Sequence, residues 1–393
     1  NHFMKARLSK QLIKSLKLFL KTIDTPLAIR SSGLLEDSQY QPLAGMYSTF
    51  MIPNSSNSEK ERLSQVCEAI KRIYASTFFK APKTLLSQFI QRHDEEKMAI
   101  IIMEMIGKNH NEKFYPTFSG VAQSYNYYPV SHMKRKQGVS FVALGLGKTI
   151  AEGKKSLRFS PYYPDILSQY YSSNTMLENS QTNFYGLDLN NGYNPMSKGE
   201  ANNLTLYDLK QAEKDGELKY ITSVLDSNDN VLRDSLQYSG PRIITFSGVL
   251  KHKRIELAKI LKFFLEYGQA ALGCPIEIEF AVNLNDKNND KDEFALLQIK
   301  PMTINFFNRS IIHENFNQKQ ILCSSDLVLG EGIIKNIKHI IYVDINNFNI
   351  AKSKIIAHHI EEYNQSLGAN NPYLLIGPGR WGSSDAWLGI PVS

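Results

Sequence analysis

The chain has 393 residues, with 45 Lys and Arg against 38 Asp and Glu, a formal net charge of +7, and 42% hydrophobic and 21% charged residues. At ~150 residues per domain this length suggests two or three domains, and the composition excludes a wholly disordered chain. Cys67, Cys274 and Cys323 are too few and too far apart for a disulfide scaffold or a metal-binding set, and they suit a reducing, cytoplasmic setting. No apolar run approaches the ~20 residues of a membrane-spanning helix. The densest basic runs, Lys134-Arg135-Lys136 and Lys251-His252-Lys253-Arg254, read as solvated faces or helix ends. Neither a membrane nor nucleic acid is therefore an expected partner. The sequence opens on Asn1 without Met and stops at Pro391-Val392-Ser393, so it reads as a piece of a longer protein.

Leu8, Leu12, Leu16 and Phe19 recur at helical spacing and predict a helix over 5–22. Pro26–Arg30 is a short apolar segment, and a strand is expected at 46–52. Ser58-x-x-Glu61 reads as a capping box opening a helix with Leu63, Val66, Ile70 and Ile73 on one face. The continuous apolar run 98–106 predicts a strand buried on both faces. Strands are expected at 117–124 and 139–145, and 160–235 reads as an irregular insertion with short helices. A strand at 242–246 and a helix at 254–271 precede two facing strands, 276–284 and 293–300, joined by a polar loop. The remainder alternates a strand (339–344), a helix (350–366) and a strand (373–376), then ends in Gly377-Pro-Gly-Arg-Trp-Gly382.

The hairpin carries the most chemistry. In Ile276-Glu-Ile-Glu-Phe280 the alternation puts Glu277 and Glu279 on one face and the apolar residues on the other. Leu297-Gln-Ile-Lys-Pro301 does the same with Gln298 and Lys300. Paired strands would gather two carboxylates, an amide and an ammonium. That set suits a nucleoside triphosphate, because magnesium takes one or two carboxylates and completes its shell with phosphate and water. The same alternation also suits a solvated face of cross-strand ion pairs.

Arg30-Ser-Ser-Gly33 could fork onto a phosphate or simply form a capped turn. Gly145-Leu-Gly-Lys-Thr149 resembles the end of a phosphate-binding P-loop, but Val142 stands where that pattern needs its first Gly. In the C-terminal Gly-rich stretch Arg380 could bind an anion, while Trp381 could stack or pack in a rigid turn. The nine histidines form no metal-binding pattern, and no nucleophile elbow occurs.

The order of these pieces adds to them. Arg30-Ser-Ser, Ala44-Gly45, a strand ending Met103-Glu-Met-Ile106, Phe118-Ser-Gly-Val121, Gly145-Leu-Gly147, Glu277-Ile-Glu279 and Leu297-Gln-x-Lys-Pro301 follow one another. The series resembles the ATP-binding domain of phosphoenolpyruvate synthase and pyruvate phosphate dikinase, over about residues 25–305. There the pieces read Arg-Ser-Ser-Ala, an Ala-Gly loop, a Ser-Gly-Val strand, Asp-Ile-Glu-Trp and Leu-Gln-x-Arg-Pro.

The resemblance implies an α+β, ATP-grasp fold, with two lobes of mostly antiparallel sheet enclosing a nucleotide cleft. The lobes are expected at 1–100 and 101–305, followed by an additional C-terminal α/β region at 306–393. It implies a dikinase-type phosphotransferase using ATP and Mg2+. The β-phosphoryl of ATP passes to a histidine on a separate swivelling domain, en route to pyruvate or another acceptor. By position, Arg30 and Lys300 would act in transfer, and Glu279 and Gln298 would face the metal. Arg30, Gly45, Met103, Glu104, Ile106, Glu277, Glu279, Gln298 and Lys300 would hold the nucleotide, with Met103–Ile106 as the adenine hinge. Lys300 stands where the family has Arg, Glu277 where it has Asp, and Gly33 where it has Ala. The family's N-terminal Gly-rich segment with its ATP-contacting Lys is expected to precede residue 1. No phosphohistidine motif or barrel repeat is recognised in the sequence. A non-catalytic nucleotide sensor or scaffold is the alternative, and a relative acting on a glucan or an antibiotic would share the ATP lobe.

Overall fold

The structure, a computed structural model, describes residues 2–33, 47–79, 97–130, 132–170, 172–189, 203–285, 291–302, 321–325, 334–368, 371–383 and 388–392. The chain divides into two compact units: Asn1–Tyr125 with Gln137–Met302, and Asn126–Lys136 with Thr303–Ser393. Helices combined with antiparallel sheets make the first unit α+β.

The first unit opens with α1 (His2–Lys5) and α2 (Lys10–Thr22). Ser9 caps α2 by accepting from the Leu12 N–H at 3.2 Å. Leu16 and Leu20 of α2 pack with Val66, Ala69, Ile70 and Ile73 of α3 (Glu59–Ser76). Ser58 caps α3 through the Glu61 N–H, but Ser56 intercepts the other half of the expected box: its hydroxyl donates to the Glu61 carboxylate at 2.6 Å and accepts from the Ser58 N–H at 3.1 Å.

These helices cover a sheet of β1 (Leu27–Gly33), β2 (Phe50–Ile52) and β3 (Met98–Glu104), in the order β2-β1-β3. β3 departs from the expected doubly buried strand. It is an edge strand, paired among the described residues with β1 alone. Met98, Ile100 and Ile102 pack inward, while Ile101 is 47% exposed. Uniform apolarity hid a one-faced strand.

β4 (Lys108–His110), β5 (Lys113–Tyr115), β9 (Asn183–Asp188) and β10 (Leu204–Asp208) form a second sheet in the order β10-β9-β5-β4. β11 (Thr222–Leu225), β12 (Leu232–Arg233) and β13 (Arg242–Ile244) form a third. Among its described residues the segment 160–235 thus carries four short strands beside its short helices, and Phe184 and Leu187 of β9 lie fully buried in the main core. Its Tyr, Asn and Ser content masked that periodicity.

The fourth sheet holds β6 (Phe118–Gln123), β7 (Val139–Leu144), β8 (Leu157–Phe159), β14 (Ile276–Asn283) and β15 (Glu293–Pro301), in the order β15-β14-β6-β7-β8. On its apolar side, α4 (Leu257–Leu272) buries Leu257, Leu261 and Leu265. Gly268 of α4 has no room for a side chain, since a Cβ there would meet Ile276 and Ile299 at 2.5 and 2.6 Å. Gly120 explains the Ser-Gly-Val motif. It pairs with Phe280, whose buried ring lies where a Cβ would stand, 2.1 Å from Cζ.

Beside β4 and β5 lies a buried ionic cluster. Lys108 pairs with Glu217, which also accepts from Thr117. Lys113 pairs with Asp215 at 2.9 Å, and Tyr115 donates to the same carboxylate at 2.6 Å. His110 Nε2 stands 3.5 Å from Glu217, and burial lowers its pKa despite the pull of Glu217 and Asp215.

In the second unit, β16 (His339–Tyr342) and β17 (Tyr373–Ile376) pair in parallel, with α5 (Ser353–Leu367) between them in the chain. A 3-10 turn, Ile350–Lys352, precedes α5 where the pattern predicts one continuous helix. β18 (Arg380–Trp381) and β19 (Gly389–Ile390) form a second parallel pair. Trp381 packs in a cluster with Ile341, Val343, Phe348 and Ile390. A Cβ on Gly377 would meet its ring at 2.7 Å. The Gly-rich stretch is therefore a packing device for Trp381, and the Arg380 side chain stays exposed.

Two outcomes follow from this packing. Gly120→Ala forces the Phe280 ring to move, and urea denaturation should show a loss of about 1–3 kcal/mol. His110 has a folded pKa below its unfolded ~6.5, so the unfolded chain binds the extra proton first. Its contribution is fully present above pH ~6.5 and falls as pH drops from there toward the folded pKa. Urea midpoints measured across that window should slope less in His110→Gln than in the parent chain.

Candidate functional site

The site is built on the register of β14 against its neighbours. Glu277 lies opposite Lys300 of β15 and opposite Gln123 of β6. Glu279 lies opposite Gln298 of β15 and Val121 of β6. The period of two then stacks these rows on one face, while Ile276, Ile278 and Phe280 are buried on the other. A register shift between Glu279 and Phe280 interrupts the β14–β15 ladder just beyond the second row, and pairing resumes with Phe280 opposite Leu296.

The polar groups form one connected chain. Gln123 Nε2 donates to Glu277 Oε2 at 2.6 Å, and Lys300 Nζ sits 2.9 Å from Glu277 Oε1. Lys300 also stands 3.5 Å from Glu279 Oε1. Arg30 completes it from β1, which belongs to a different sheet. One of its guanidinium nitrogens is 3.3 Å from Glu279 Oε2, and another donates to Gln298 Oε1 at 2.7 Å. Arg30, Lys300, Glu277 and Glu279 carry two charges of each sign, so the cluster is formally neutral.

Burial alone opposes the charge on Lys300, but Glu277 and Glu279 outweigh it and raise its pKa, so it is cationic at neutral pH. Each of these four charged side chains is between 19% and 28% exposed. They are sheltered enough for strong pairing and open enough to meet a ligand.

The structure thus brings five of the expected residues together: Arg30, Glu277, Glu279, Gln298 and Lys300. It places Met103, Glu104 and Ile106 at the end of β3 and just after it. There Met105 N–H donates to the Pro26 carbonyl at 2.8 Å, and Thr25 donates to the Glu104 carboxylate at 2.7 Å. Among the described residues no hydrogen bond or ion pair joins Met103–Ile106 to the carboxylate rows. Gly45 lies outside the described residues. Gly145 has φ +80° and is tied to the fold, because its carbonyl accepts from Ser119 at 2.8 Å and a Cβ would meet the Tyr185 carbonyl oxygen. Lys148 of the same loop pairs with Glu152 at 3.4 Å.

Gln123 was not expected. Its face of β6 mixes Ser119, Val121 and Gln123, so only the register opposite Glu277 reveals it.

Among the described residues no group of three or more His, Cys, Asp or Glu could enclose a metal. The oxygens of Glu279 and the Gln298 amide, side by side across the ladder, are hard donors of the kind magnesium takes in small number when phosphates supply the rest. The donor set fits Mg2+ on those terms.

A family model described as the pyruvate phosphate dikinase AMP/ATP-binding domain matches residues 1–320. Among curated proteins, none matches the chain. The match covers well over half of the sequence and includes both Arg30 and the whole hairpin, so the chain belongs to the pyruvate phosphate dikinase AMP/ATP-binding domain family.

Proposed function

We propose that this chain is the ATP-grasp module of a dikinase-type phosphotransferase, with lobes at 1–100 and 101–305. The observation that carries this reading is Arg30 spanning from β1 to Glu279 and Gln298, beside Lys300. Cations for phosphate and oxygens for a metal stand at one place. In this reading the hinge Met103–Ile106 reads adenine through the backbone of Ile106, whose N–H and C=O make no hydrogen bond among the described residues. Gly45 would approach the phosphates.

Arg30 would leave Glu279 and fork onto phosphate oxygens, and Lys300 would stabilise charge on the moving phosphoryl group. Glu279 and Gln298 would hold Mg2+, which when bound neutralises and orients the phosphates. The β,γ-pyrophosphoryl group passes to a histidine nitrogen on a separate domain with AMP as the leaving group, and water then takes the γ-phosphoryl away as phosphate, so that the β-phosphoryl stays on the histidine. The final acceptor is pyruvate or another small molecule.

Because Glu279 is shared between Arg30 and Lys300 in the free protein, nucleotide and metal help each other bind. Nucleotide draws the cations off the carboxylate, and metal offsets the repulsion that carboxylate would exert on phosphate. A specific residue also supports a second reading, a nucleotide sensor without transfer. Lys300 presents a point charge where the family's Arg presents a fork.

Calorimetric titration of the chain with ATP should show binding that strengthens with Mg2+. With Mg2+ present, Glu279→Ala should weaken it by about 10–100-fold, the worth of one charge-assisted contact. ATP binding that ignores both Mg2+ and Glu279→Ala would overturn the site. In the full-length protein, Lys300→Ala should cut AMP formation by roughly 10²–10³-fold with ATP binding largely kept. Absence of AMP formation in the parent protein, with ATP bound, establishes the sensor instead.

A further inference from the structure

The net charge of the chain is concentrated at one place. Lys5, Arg7, Lys10, Lys14, Lys17 and Lys21 supply six of the seven net positive charges, and the first acidic residue is Asp24. All six side chains are exposed, and among the described residues none makes a hydrogen bond or ion pair. Four of them lie on α2 at i, i+4, i+7 and i+11, which places them in one stripe about 16 Å long. Leu18 stands one turn from both Lys14 and Lys21 and is 59% exposed. The inward face of α2 is already spent on the core through Leu16 and Leu20. α1 is linked to the end of α3 by the Phe3 and Phe78 rings, 5.3 Å apart, and the next residue, Phe79, is 56% exposed.

We propose that this face of α1 and α2 docks on the anionic headgroup layer of a phospholipid membrane. Three occupants would match the charge. A nucleic-acid backbone rewards the lysines but leaves Leu18 and Phe79 in water. An acidic protein is disfavoured because lysine is depleted at protein–protein contacts. A headgroup layer rewards both features: lysines reach phosphates and carboxylates while a leucine among them meets the acyl boundary. The contact is adsorption and not insertion, since no helix of the described residues is long and apolar enough to cross a membrane. It revises the expectation of no membrane partner, which rested on spanning segments and on basic runs elsewhere in the chain.

The test is co-sedimentation of the full chain with phosphatidylcholine vesicles, with and without phosphatidylserine. Binding should require phosphatidylserine and fall steeply with salt. The double variant Lys14→Gln/Lys17→Gln should bind about twenty-five-fold more weakly, at roughly five-fold per lysine removed. Leu18→Ser should also reduce binding, which a purely ionic contact would not show. Circular dichroism and an unchanged ATP titration report that the variants are folded. Failure of the parent chain to bind phosphatidylserine vesicles overturns the proposal, as does undiminished binding by the double variant. Binding to duplex oligonucleotide or polyglutamate without binding to vesicles assigns the face to those partners and overturns it equally.

Discussion

Arg30 reaches from β1 to the neighbouring hairpin, and its two contacts there join separate sheets of the first unit at a charged point. Everything else about the site is arranged around that contact. β14 must hold Glu279 level with Gln298 for a guanidinium to meet both, and the antiparallel ladder does so. The adjoining row, Gln123, Glu277 and Lys300, then fixes Lys300 between two carboxylates. A slip of one residue in β15 would turn Gln298 and Lys300 to the opposite face. The apolar packing behind the sheet, Phe280 on Gly120 and α4 on Ile276, is what prevents that slip.

The hairpin was the most legible element in the sequence. Alternation is a local signal, and Glu277, Glu279, Gln298 and Lys300 are placed by it without knowledge of any other strand. Paired ions on a ladder and a ligand site look alike at that level, and the partner of Arg30 decides nothing until the fold is known, since 249 residues separate it from Glu279. The ordered motifs supplied the family. They did not supply Gln123, whose role depends on register alone.

Other features escaped for different physical reasons. The run 98–106 carries Ala99 and Ile101 at positions that the edge strand leaves exposed, so composition overstated its burial. Residues 160–235 are rich in Tyr and Asn, yet β9 uses Phe184 and Leu187 to enter the core, with Tyr185 packed against it and Asn183 exposed. The capping signal at Ser58 holds for its hydroxyl and fails for Glu61, whose carboxylate accepts from Ser56. The basic stripe on α2 is spaced every third or fourth residue, so no run of adjacent cations announces it.

The neutral state of the cluster has a further meaning. If nucleotide binds where we propose, Arg30 and Lys300 resting on Glu279 give the free protein its own competitive inhibitor, tethered at the site. The affinity observed for any anion there is the intrinsic affinity reduced by the fraction of molecules in which the tether is open. Selection can therefore tune the response of this module to nucleotide concentration without touching a nucleotide contact, by changing only how firmly one carboxylate holds its two cations.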